Sequence, residues 1–110
     1  MKEVIKFDDF LKLDIRIGLI LKAEKIEKSE KLIILSVDLG EDESRQIVAG
    51  IAKKYNPEDL EGLSVTVLAN LEEREIMGYR SEGMVLAVGG EDGPVLISPL
   101  EQVTPGKKVS

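Results

Sequence analysis

Cysteine, histidine and tryptophan are all missing from the chain, and two tyrosines and two phenylalanines make up the aromatics. Without cysteine there are no disulfides, thiolate metal sites or thiol nucleophiles, a composition that suits a reducing cytoplasm. Without histidine the commonest general base, the commonest zinc ligand and the usual partner of a catalytic serine are gone together. The expectation is a non-catalytic protein with no cofactor and no metal. No apolar run approaches the ~18 residues of a membrane span. Acids arrive too early in Met1-Lys2-Glu3-Val4-Ile5-Lys6-Phe7-Asp8-Asp9 for a signal peptide, so no membrane partner is expected.

What is present is a chain of 110 residues, 43% hydrophobic and 33% charged. That is globular composition, enough for a single domain over residues 1–110 with one modest core. The net charge of −6 argues against indiscriminate binding to nucleic acid. The charge is uneven, however. Residues 1–31 hold eight basic and seven acidic side chains, whereas residues 32–110 hold seven basic and fourteen acidic. Any surface for nucleic acid is therefore local and draws on the N-terminal part.

Phe7 to Leu13 reads as one helical turn, with Phe7, Phe10 and Leu11 on one face. Such a short turn has to lean on the body of the fold. From Asp14 to Glu24 the period changes to two. Ile15, Ile17, Leu19, Leu21 and Ala23 mark one buried face of a long strand, and Gly18 within it implies a bulge or bend. Lys22, Lys25, Lys28 and Lys31 recur every three residues among Glu24, Glu27 and Glu30. They fit either a surface helix or a strand end plus loop; the flanking strand patterns favour the loop. Leu32–Leu39 is a second strand, Gly40–Ser44 a hairpin turn, and Arg45–Ile51 a third strand. Asn56-Pro57 opens a helical turn that Gly62 ends. Leu63–Ala69 is the fourth strand and Met84–Val88 the fifth, with an edge strand over Pro94–Ile97. The tail, Ser98–Ser110, reads as loop or short strand. Five short antiparallel strands with a helical element after the third fit an all-β, five-stranded OB-fold barrel with short helical turns and terminal extensions. An SH3-like barrel is the rival, but it normally lacks a helical element at that point.

Between the fourth and fifth strands lies a polar stretch, Asn70 to Gly83, longer than a hairpin turn needs. Loops held between rigid strands are where binding residues gather. Each notable residue here also has a purely structural reading. Asn70 can cap the strand end, Ser81 can bond local backbone, Met84 can be core, and Arg74 can offset Glu72, Glu73 or Glu75.

Several segments together resemble one family. They are Phe10-Leu11-Lys12-Leu13-Asp14-Ile15-Arg16-Ile17-Gly18, Lys31-Leu32 with Val37-Asp38-Leu39-Gly40, and Arg45-Gln46-Ile47-Val48-Ala49-Gly50-Ile51. Asn70-Leu71, Arg74, Gly78, Ser81-Glu82-Gly83-Met84-Val85-Leu86 and Pro105-Gly106 complete the set, in the family's order. The chain resembles the tRNA-binding domain that ends many bacterial methionyl-tRNA synthetases. That domain also occurs as a free-standing dimeric protein, in CsaA-type chaperones and in synthetase-associated cofactors. The resemblance implies tRNA bound mainly by shape, with Asn70, Arg74, Ser81 and Met84 as contacts and Lys31 as a further one. It also implies a homodimer, and a methionyl-tRNA synthetase as partner.

Residues 72–82 carry four glutamates against Arg74 and Arg80, which departs from the family pattern. Stacking aromatics are scarce, so recognition through backbone and shape is expected rather than reading of a single-stranded sequence. The chain starts at Met1 and has no room for a synthetase core. The expectation is a free-standing cytoplasmic tRNA-binding protein, or a subunit that aids a synthetase in trans. The alternative is a CsaA-type chaperone binding unfolded polypeptide, for which Ile76, Met77 and Tyr79 supply apolar contacts. A carboxylate-based hydrolase has little support, because Gly78-x-x-Ser81-x-Gly83 is not a nucleophile elbow.

Overall fold

The computed structural model describes residues 1–110. Nine strands and two four-residue helices follow one another. They are α1 (Phe7–Phe10), β1 (Ile15–Lys25), β2 (Ile33–Asp38), β3 (Arg45–Ala49), α2 (Pro57–Leu60) and β4 (Ser64–Leu68), then β5 (Arg74–Ile76), β6 (Tyr79–Ser81), β7 (Met84–Val85), β8 (Ala87–Gly90) and β9 (Gly93–Leu96). Five of these strands form one antiparallel sheet in the order β3-β2-β1-β4-β7. The sheet curls until its two edges meet, giving the five-stranded OB barrel. No helix is long and apolar enough to cross a membrane.

The long β1 makes the curl possible by serving two partners. Its first half, Ile15 to Leu19, pairs with β4, and its second half, Leu19 to Lys25, pairs with β2. The register shifts between Ile20 and Lys22, so Leu21 is an extra residue and the strand bends there. This corrects the simple alternation expected of the strand. Ile20, Ala23 and Ile26 are buried, while Leu21 is 48% exposed. A bulge moves every later side chain to the opposite face, which an unbroken period of two cannot foresee. Gly18 has a separate cause: a Cβ there would lie 2.6 Å from Val37 Cγ1 and 2.9 Å from Leu39 Cδ2. The β2 wall crosses it too closely for any side chain.

The core is aliphatic. Ile20, Ile33, Leu35, Val37, Leu39, Ile47, Val65 and Val67 fill the barrel, and Leu60 from α2 plugs one end at 0% exposure. The tail closes the half of β1 that β2 leaves open. Ile17 N–H donates to Lys107 O at 2.9 Å, Val109 N–H to Ile15 O at 2.8 Å, and Arg16 bridges Lys108. The N-terminal turn behaves differently from expectation. Phe7 and Phe10 stack with ring centroids 6.1 Å apart, yet Phe7 is 71% and Leu11 59% exposed. The turn is held by backbone and carboxylate contacts, and of its apolar face only Phe10 is half-buried.

Candidate nucleic-acid interface

The stretch between β4 and β7 is not an irregular loop. Arg74-Glu75-Ile76 and Tyr79-Arg80-Ser81 form a two-stranded hairpin, with Arg74 opposite Ser81 and Ile76 opposite Tyr79. Met77 and Gly78 make the turn at φ 50 and φ 84. Two central residues with positive φ match the right-handed twist of the flanking strands, the geometry of a type I′ turn. The usual residues for it are Asn-Gly or Asp-Gly, so Met-Gly carries little signal in sequence.

Three side chains fix the base of this hairpin. Arg45 Nη1 donates to Ala69 O at 2.6 Å and to Glu82 O at 3.1 Å, one carbonyl at each end of the stretch. Its other nitrogens grip Glu41 in a bidentate pair at 2.8 and 2.9 Å. Gln46 Nε2 donates to Arg80 O at 2.9 Å. Ser81 is 3% exposed; its hydroxyl donates to Gly83 O and accepts from Val48 N–H, both at 3.0 Å. Glu82 N–H donates to Gln46 O at 2.8 Å. Side chains and two backbone groups thus complete the barrel where β3 meets β6 and β7. At the other end, Asn70 Oδ1 accepts from Asp14 N–H at 2.8 Å and Nδ2 donates to Lys12 O at 2.6 Å, tying the N-terminal segment to the end of β4.

The ion pairs beneath are continuous. Arg16 forms a bidentate pair with Asp14 at 2.8 and 2.9 Å and approaches Glu41 at 4.0 Å, so Asp14, Arg16, Glu41 and Arg45 make one chain of charges. The hydrogen bond from Arg16 holds Asp14 below its ordinary value, and that from Arg45 does the same for Glu41. Both arginines are raised by the same bonds. No sequence motif singles out Arg16 and Arg45 as part of this charge chain. The usable signals were Glu41 and Arg45 four residues apart across the turn, and Asp14 and Arg16 two apart on one strand face.

The five expected contacts therefore fall into different surroundings. Asn70 and Ser81 have their polar groups engaged by the protein's own backbone. Arg74 is exposed and has no carboxylate within 4.0 Å, while its neighbour Arg80 takes Glu73 at 3.5 Å. Arg74, Arg80, Glu73, Glu75 and Gly78 line one open groove on the hairpin. Met84, opposite Leu68 in β7, is 39% exposed rather than core. Lys31 sits on the separate β1–β2 connection, where its carbonyl accepts from Ala52 N–H at 2.9 Å. The structure brings Asn70, Arg74, Ser81 and Met84 to one region and leaves Lys31 on another loop. The lysine-rich run ends β1 at Lys25 and continues as loop, not as a surface helix.

Comparison with known proteins agrees with this architecture. Residues 15–108 match the family described as a tRNA binding domain. The chain is 56% identical over 108 residues to a methionine–tRNA ligase of Archaeoglobus fulgidus, covering 98% of this chain and 16% of that protein. The chain thus spans about a sixth of the length of such relatives. Among solved structures, a MetRS related protein from Pyrococcus horikoshii superimposes with a TM-score of 0.90 at 41% identity, over 99% of this chain and 100% of that one. The chaperone CsaA of Bacillus anthracis superimposes with a TM-score of 0.88 at 37% identity, over 98% and 100%. With the match running from β1 to the tail and taking in the whole barrel and its hairpin, the chain belongs to the tRNA-binding domain family.

Proposed function

We propose that the chain binds folded tRNA through the open face of the β5–β6 hairpin, and that it works in the cytoplasm as a non-catalytic accessory that adds tRNA affinity to a methionyl-tRNA synthetase in trans. The observation that carries this is Arg74: an exposed guanidinium without an ion-pair partner, on a hairpin whose base is fixed by Arg45, Gln46 and Ser81. A free planar fork on a fixed support suits a phosphate oxygen pair. Met84 and Lys31 add contact from β7 and from the β1–β2 connection. Asn70 and Ser81 serve by holding the frame. The likeness to a methionine–tRNA ligase and to a MetRS related protein of the same extent supports the synthetase connection. Tethering tRNA near the synthetase raises its effective concentration without new catalytic groups.

The acting unit is a homodimer on this reading. Support comes from apolar side chains left in water at both chain ends: Phe7 at 71%, Leu11 at 59% and Leu100 at 106% exposure. Two hairpins on one particle would let one tRNA meet Arg74 twice, adding a second contact to a weak first one. Sedimentation returning a monomer at micromolar concentration would remove the dimer. Titrating total tRNA at several salt concentrations tests the binding itself. Affinity should fall steeply with salt, and absence of binding at low salt rejects the proposal. The likeness to CsaA, with Met77 53% and Tyr79 39% exposed, supports a second reading as a chaperone of unfolded chains. Saturable binding of an unfolded polypeptide together with no tRNA binding would put that reading first.

A further inference from the structure

Beside the hairpin tip lies a second groove, of about 460 Å³, lined on one side by the Glu24–Lys28 run and on the other by Met77 and Tyr79. Ile26 in that run is 5% exposed and sits low in the groove, while Tyr79 and Met77 present their side chains to water. Two features set this groove apart. The first is Met77, a long side chain held at φ 50, a conformation for which asparagine, aspartate or glycine is the ordinary occupant. Strain of this kind gathers where a ligand is met. The second is the charge pattern. Lys25 and Lys28 are balanced by Glu24 and Glu27, so the groove has no net charge and cannot hold a run of phosphates by its field. It offers one aromatic face and one polarisable sulfur with ammonium groups alongside. That chemistry fits a single base with its own phosphate. A base inside a paired helix has both faces covered by its stack, so the fitting ligand is an unpaired one.

We propose that this groove receives one unpaired nucleotide of the bound tRNA, its base lying on Tyr79 and Met77 and its phosphate between Lys25 and Lys28. The proposal rests on the reading of the hairpin as a tRNA-binding surface. The two sites share the turn: Gly78 lines the groove of Arg74 and Arg80, while the residues on either side of it line this one. An RNA backbone crossing Met77-Gly78 would pass from one to the other. A stretch of apolar polypeptide fits less well, because four charged side chains flank only two exposed apolar ones.

The experiment uses full-length protein labelled with 3-fluorotyrosine and followed by ¹⁹F NMR. Two resonances are expected, and the one absent from Tyr79→Phe is Tyr79. Adding folded tRNA should shift the Tyr79 signal, whereas a fully paired RNA duplex at matched occupancy should not. Tyr79→Ala should weaken tRNA binding roughly 5- to 100-fold, the worth of one base–aromatic stack, while Tyr79→Phe binds as well as the parent. Lys28→Ala should lower the slope of log affinity against log salt by about one. A Tyr79 signal unmoved by tRNA that still binds and still depends on Arg74 would overturn the groove and leave the tRNA reading intact. A signal moved equally by duplex would overturn the unpaired nucleotide. If the signal moves with unfolded polypeptide and tRNA does not bind at all, both proposals fall.

Discussion

The barrel wall and the β5–β6 hairpin are both antiparallel β-structure, yet polar side chains do opposite things in them. Where the wall meets the hairpin, Ser81, Asn70, Arg45 and Gln46 face backbone groups and complete the fold. On the hairpin a few residues away, Arg74, Tyr79 and Met77 face water and make no such bonds. Arg74 and Ser81 even stand directly opposite one another across the ladder. The lesson is that position within the family's signature does not distinguish a residue free to meet a ligand from one that holds such a residue in place. Burial and the count of unspent hydrogen-bond groups do.

The comparison breaks most plainly through the core. Leu60→Ala empties the plug at the end of the barrel and should cost about 2–5 kcal/mol in urea unfolding. Its tRNA affinity, measured where the variant is still folded, should stay near that of the parent. Ser81→Ala strands the buried Val48 N–H and should cost about 1–3 kcal/mol; Ser81→Thr, which keeps the hydroxyl, serves to separate bond from bulk. A Ser81→Ala protein as stable as the parent would show that the hydroxyl is free for RNA after all. Arg74→Ala sharpens the contrast from the other side. Its stability should change by less than about 0.5 kcal/mol, while tRNA affinity drops roughly tenfold and the salt slope falls by about one. An Arg74→Ala protein that loses stability instead would move Arg74 into the frame.

The smallest expected effect is that of acid. Asp14 and Glu41 are held below their ordinary values by Arg16 and Arg45. The unfolded chain therefore binds more protons than the folded one in that range, so stability rises with pH there. The contribution is present above about pH 5 and fades as pH falls through the carboxylate range. Both carboxylates are about a third exposed, so solvent screening keeps the effect small. Asp14→Asn should flatten the dependence of unfolding free energy on pH below about 4.5, read from urea titrations at several pH values. An unchanged slope would show that the pair contributes nothing to stability.

The sequence by itself determined the barrel. The alternation of apolar residues in β2 and β4, the Asn56-Pro57 turn and the spacing of glycine turns follow from local chemistry, and local chemistry is written in neighbouring residues. It also marked Asn70 to Met84 as the candidate binding stretch. It could not place the bulge at Leu21, because a strand shared between two partners is bent by both. It did not show the β5–β6 hairpin, because Met77-Gly78 lacks the residues that usually announce a type I′ turn. Above all, it could not divide Asn70 and Ser81 from Arg74 and Met84. Whether a polar group is spent depends on donors and carbonyls far away in the chain: Val48 for Ser81, Asp14 and Lys12 for Asn70, Ala69 and Glu82 for Arg45. Those partners meet only when the barrel closes.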